Sequence, residues 1–130
     1  MQRFVWIVLT TLATAGPLPL LAQTPNPTTP AFGRCMDRSG GVTARMLDCM
    51  ATETAHQDAR LNRAYQALMT SLPAERQRAL QRAQRAWLAF RDADCRFLAD
   101  PEGGSVAGVV ANDCFMTMTA QRAQTLEDWR

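Results

Sequence analysis

The chain contains no lysine: all 14 of its basic residues are arginines, set against 12 acids. With a net charge of only +2 over 130 residues it lacks the basic excess of a dedicated nucleic-acid binder. Histidine occurs once, as His56, with no second histidine, cysteine or serine at a spacing that supports nucleophilic or metal chemistry. None of the four cysteines forms a C-x-x-C pair, which removes the ligand spacing of a structural zinc site. A phosphate-cradling glycine loop is absent, and no stretch alternates β-branched and polar residues as a half-buried strand would. Apolar runs are short too, since Gly16, Pro17 and Pro19 interrupt the N-terminal one before the ~20 residues of a membrane span accumulate. These absences lead us to expect no enzyme, no catalytic residue, no cofactor, no metal, no nucleic-acid partner and no transmembrane anchor.

What is present begins with an export signal. Arg3 supplies a positive start, Phe4 to Leu12 open an apolar stretch, and Leu20-Leu21-Ala22 precedes polar Gln23. Residues 1–22 read as a signal peptide cleaved after Ala22, with Ala13-Thr14-Ala15 as a second possible site, so the protein is expected to be periplasmic or secreted. The remaining 108 residues carry a charge of +1. In an oxidising compartment Cys35, Cys49, Cys95 and Cys114 are expected to form two disulfides.

Residues 23–33, with three prolines between Pro25 and Ala31 and the threonines among them, read as an unstructured leader, and 34–130 as one helical domain. Steps of three and four predict a first helix over Thr43–Ser71, a second over Ala74–Leu98 and a third over Val106–Trp129. Pro73 and the segment Ala99–Ser105 separate them, with Ser105 as a candidate cap. Leu80, Trp87, Leu88, Phe90, Cys95, Phe97 and Leu98 are expected on the buried side of the second helix, and Val106, Val110, Cys114, Met118, Leu126 and Trp129 on that of the third. The fold class is therefore all-α: an antiparallel helical hairpin plus a third helix, stapled by disulfides.

A tight turn at Leu72-Pro73 makes the first two helices antiparallel neighbours whose facing residues sum to roughly 145. That rule sets Asp58 opposite Trp87 and Glu53 level with Arg91. Arg91 falls among apolar residues and needs a carboxylate, so Glu53, Asp58 and Arg91 are predicted to form a structural polar lock. Hairpin geometry permits a Cys49–Cys95 bridge with Cys35–Cys114. Local pairing, Cys35–Cys49 with Cys95–Cys114, is preferred because it fastens both otherwise loose segments.

Asp58-x-x-Leu61-Asn62-x-x-Tyr65, the stretch Ala83-Gln84-Arg85-Ala86-Trp87-Leu88-Ala89-Phe90-Arg91-Asp92-Ala93-Asp94-Cys95, then Gly103-Gly104-Ser105 and Cys114-x4-Thr119-x2-Arg122-x3-Leu126 resemble the LprI-type lysozyme-inhibitor family of exported bacterial proteins. The likeness runs from about Cys35 to Leu126. It departs at Val42-Thr43-Ala44-Arg45-Met46, where family members tend to carry Thr-Gln-Ala-Glu-Met, so the usual capping box is lost.

The resemblance implies a non-covalent inhibitor whose partner is a lysozyme-type hydrolase. For a cationic partner with a deep cleft, the candidate contact is the loop of Asp100, Glu102, Gly103, Gly104 and Ser105, which offers two acids, a glycine pair and a hydroxyl. Two alternatives stand beside it. One is an envelope-associated structural or interaction module without inhibitory activity. The other is binding of anionic envelope surfaces through Arg78, Arg82 and Arg85, which fall at i, i+4 and i+7 with Arg76 nearby.

Overall fold

The computed structural model describes residues 27–129; the expected signal peptide and residues 23–26 lie outside them. All regular structure among the described residues is helical: α1 (Pro30–Ser39), α2 (Thr43–Ser71), α3 (Ala74–Leu98) and α4 (Gly104–Asp128).

The expected leader over 23–33 requires correction, because Pro30 onward is helix α1. Proline at the first helical position loses no hydrogen bond, and Thr29 ahead of it caps the helix by accepting from the Phe32 amide at 3.1 Å. Cys35 is therefore a helical residue, not part of an irregular approach to α2. Gly40 and Gly41 take positive φ, 60° and 75°, and reverse the chain into α2. α2 starts at Thr43 without a side-chain cap. Its first turns are fastened to α1 by Cys35–Cys49, with a Cα–Cα distance of 5.8 Å.

The bounds of α2 and α3 agree with those expected, but their packing differs. α2 lies along α4, α3 also packs on α4, and the backbones of α2 and α3 hardly approach each other. Arg60 of α2 reaches Gln124 and Glu127, while Leu68 and Leu72 share a cleft with Thr125 and Trp129. Residue numbers rise together along both helices, so α4 runs parallel to α2 and antiparallel to α3. The core is Leu61, Ala64 and Leu68 of α2 against Ala123 and Leu126 of α4, flanked by Leu72, Leu80 and Trp87. Thr119, Ala120 and Ala123, all fully buried, give α4 a flat side on which α2 can settle closely.

That arrangement overturns part of the expected burial. Phe90 (58% exposed), Phe97 (83%), Leu98 and Leu88 of α3 are exposed, as are Val106, Val110 and Trp129 of α4. At ~100° per residue, Phe90 and Phe97 sit roughly 100° around the helix from Leu80, which packs on the core. α3 meets only one helix closely, so its covered arc is too narrow to include them.

The polar lock also needs correction. Glu53 does not meet Arg91. It is buried on α2, where it accepts from the Thr29 amide (2.8 Å), the Thr29 hydroxyl (2.6 Å) and the Gln57 side-chain amide (2.6 Å). Gln57, wholly buried, also donates to the Pro27 carbonyl at 3.1 Å. The segment before α1 is thereby strapped across α2. Burial alone would raise the Glu53 carboxyl, but the hydrogen bonds from Thr29 and Gln57 outweigh it and hold the group below the ordinary carboxylate value.

Arg91 instead donates to Asp92 (3.0 Å) and the buried Thr119 hydroxyl (3.0 Å), and stacks over Trp87 and Phe115. Asp58 stands 3.9 Å away with its side chain half exposed. Arg91→Met would leave both carboxylates in water and Thr119 still donating to the Phe115 carbonyl. The expected loss is about 1 kcal/mol, not the 3–5 kcal/mol of a broken buried pair, as chemical unfolding would measure.

Candidate partner-binding site

α3 ends at Leu98 and α4 begins at Gly104, so the intervening loop forms one tip of the molecule. Within it the Asp100 carboxylate accepts from the Glu102 amide at 2.9 Å, and the Asp100 carbonyl from the Gly103 amide at 3.0 Å. A Cβ on Gly103 would come within 3.2 Å of both the Asp100 carbonyl oxygen and the Ala107 methyl, so the turn closes tightly only on glycine. Gly104 takes φ 58°. Ser105 is not the expected cap: α4 has no side-chain cap, and Ser105 lies inside its first turn. Cys95–Cys114 joins α3, one turn before its end, to α4, about three turns after its start, with a Cα–Cα distance of 5.5 Å. The local pairing of cysteines is the one present.

All of Asp100, Glu102, Gly103, Gly104 and Ser105 are exposed. Beside them stand two apolar side chains that pattern reading had placed in the core, Phe97 and Val106, the latter 63% exposed. The signal that could have flagged them is their position: both flank the loop, beyond the reach of a third helix. Charge is segregated as well. Residues 92–116 hold Asp92, Asp94, Asp100, Glu102 and Asp113 against Arg96 alone, whereas 60–91 hold seven arginines against Glu75. The tip is acidic and the α2–α3 end is basic.

Arg78, Arg82 and Arg85 are exposed on α3 toward that basic end, with no ion pair among the described residues. None of them lies at the tip, and of the three only Arg85 shares a groove with Arg91. His56 is exposed on α2. Among the described residues no three His, Cys, Asp or Glu side chains converge as a metal site would require. No helix among them is long and apolar enough to cross a membrane.

Comparison with known proteins bears on the whole of this region. A family model described as lysozyme inhibitor LprI matches residues 35–126, from the first cysteine to the last core leucine. An uncharacterized protein of Rhizobium meliloti (strain 1021), R02472, is 26% identical over 94 residues, covering 62% of this chain and 68% of that protein. No solved structure matches.

Proposed function

Because the chain belongs to the LprI lysozyme-inhibitor family, we propose that it is an exported protein that binds lysozyme-type hydrolases and blocks them without a covalent step. The observation that carries the proposal to a surface is the acidic tip. Asp100 and Glu102 provide attraction for a cationic enzyme, which acts mainly on the rate of encounter. Phe97 and Val106 provide apolar area of the kind that anchors an interface. The tight turn at Gly103 and the disulfide below it hold the tip in shape before binding, which lowers the ordering cost. No residue here is required to do chemistry, in keeping with an inhibitor rather than an enzyme.

The test is a lysis assay with purified oxidised protein against lysozymes of different classes, with binding measured in parallel. Asp100→Asn with Glu102→Gln is expected to lower the association rate about tenfold at low salt and much less at high salt. Phe97→Ser is expected to speed dissociation. Substituting Arg78, Arg82 and Arg85 with Gln should leave inhibition unchanged. Absence of binding to every lysozyme class would overturn the proposal, and salt-sensitive retention on anionic envelope material lost with that triple change would favour the arginine stripe instead.

A further inference from the structure

The two stretches Asp58–Tyr65 and Ala83–Cys95 carry much of the family resemblance, and the hairpin expected to close between them is open. Between α2 and α3 lies a groove of about 510 Å³, within the size range of small-ligand sites. Apart from Gln66 and Gln81, every residue lining it belongs to those two stretches. We propose that this groove binds a short oligosaccharide of N-acetylated sugars bearing a carboxylate.

The chemistry of the lining selects the ligand class. Asn62 and Gln66 stand on the α2 wall, Gln81 and Gln84 on the α3 wall. Asn62, Gln66 and Gln81 make no side-chain hydrogen bond to the described residues. Gln84 uses only its carbonyl oxygen, which accepts from Arg122 Nε at 3.0 Å, so its amide N–H groups remain to donate. A primary amide both donates and accepts, which matches hydroxyl and acetamido groups and gives nothing to a hydrocarbon chain. The half-buried Tyr65 ring and Leu88 supply the apolar surface against which the C–H face of a sugar ring can lie.

The charges then choose among sugars. Arg85 is exposed at the groove with no ion pair among the described residues, while Arg91 is held in place by Asp92, Thr119 and the Trp87 ring. Asp58 is the only acid lining the groove. Arg91 is already neutralised by Asp92 and Asp58, so the cation left for a ligand is Arg85, whose fork, without an ion pair among the described residues, suits a carboxylate. The groove is separate from the tip, so ligand binding here neither requires nor follows from lysozyme inhibition.

The experiment is titration of the oxidised protein with N-acetylglucosaminyl-N-acetylmuramic acid, followed by ligand-observed NMR and calorimetry. Three further disaccharides run beside it. N,N′-diacetylchitobiose (chitobiose below) lacks the carboxylate, cellobiose lacks both the carboxylate and the acetamido groups, and N-acetylglucosamine joined to glucuronic acid moves the carboxylate to C6 of a ring that carries no acetamido group. The acidic N-acetylated sugars are expected to bind in the millimolar range or tighter, ahead of chitobiose, with cellobiose weakest. The ranking of the two acidic sugars then identifies the natural source. Arg85→Gln should weaken the acidic sugars about tenfold and bring them level with chitobiose. Gln81→Ala should weaken all N-acetylated sugars, and Arg78→Gln, outside the groove, none. Because these side chains are exposed, melting temperatures should not move, which separates lost binding from lost folding. Absence of binding by any sugar, or binding indifferent to both Arg85→Gln and Gln81→Ala, would overturn the proposal.

Discussion

Glu53→Ala is expected to be among the most damaging single changes in the protein, costing about 3 kcal/mol. The carboxylate receives three hydrogen bonds at 2.6–2.8 Å and is only 4% exposed. Without it the buried Gln57 amide loses a charged acceptor and Thr29 loses two, so the strap over α2 comes free and the cap of α1 with it. Glu53→Gln separates charge from shape. Because the folded carboxyl lies below its unfolded value, its ionised form contributes stability that is complete above the unfolded value, ~4.3, and is lost as pH falls through the folded one. Thermal melts of wild type and Glu53→Gln between pH 7 and 3 should therefore converge toward the acid end. A constant gap between them across that range would contradict this account.

Removing the Cys95–Cys114 bridge by changing both residues to serine is expected to cost about 3 kcal/mol, from the closure of a loop spanning 19 residues. For a domain of this size that is a fall in Tm on the order of 10–20 °C. The effect on inhibition should be larger than a folding loss explains. The bridge closes the segment that carries the acidic tip, and α3 has little other packing to hold its last turns. At a temperature where the variant is still folded, its complex with lysozyme should dissociate faster than that of wild type. Changing Cys35 and Cys49 to serine should lower Tm as well but leave the kinetics of inhibition unchanged, since that bridge fastens α1 and not the tip.

Helix limits were legible in the sequence where proline and glycine punctuate it. Pro73 and the run from Pro101 to Gly104 set the ends of α2, α3 and α4 to within two residues. Helix α1 was not legible in the same way, because proline content was taken as one signal. Thr29-Pro30 carries a cap and a first-turn proline, and position decides what a proline does. Glu53 and Gln57 interrupt the apolar stripe of α2, and a polar pair on a buried face needs polar partners. Those partners, Thr29 and Pro27, lay in the segment set aside as leader.

Which helix fills the centre was a harder matter. Three helices of similar length, each with an apolar stripe, can assemble with any one of them in the middle, and turn length alone favours the chain neighbours α2 and α3. The available signal was the trio Thr119, Ala120 and Ala123, small residues that let a neighbouring backbone come close. Once α4 occupies the centre, α3 is left at the flank, Phe90 and Phe97 come to the surface, and the α2–α3 seam stays open. The loop residues of the candidate site are legible from composition, whereas the groove is not, because a tight turn at Pro73 predicts a closed α2–α3 contact that the fold does not make.

The strap at Pro27 has a practical consequence for how the molecule can be presented. Pro27 is held by Gln57 and Arg60, and Arg60 in turn grips Gln124 and Glu127, near the far end of α4. Any chain attached ahead of residue 27 thus emerges beside the C-terminal turns of α4, about 30 Å along the helix axis from the loop at 100–105. A linker placed there, whether to a bead, a fluorophore or a surface, points the acidic tip outward with the body of the protein between them. Immobilisation through the N-terminus should preserve capture of a soluble enzyme, and the same linker grafted next to Ser105 should abolish it.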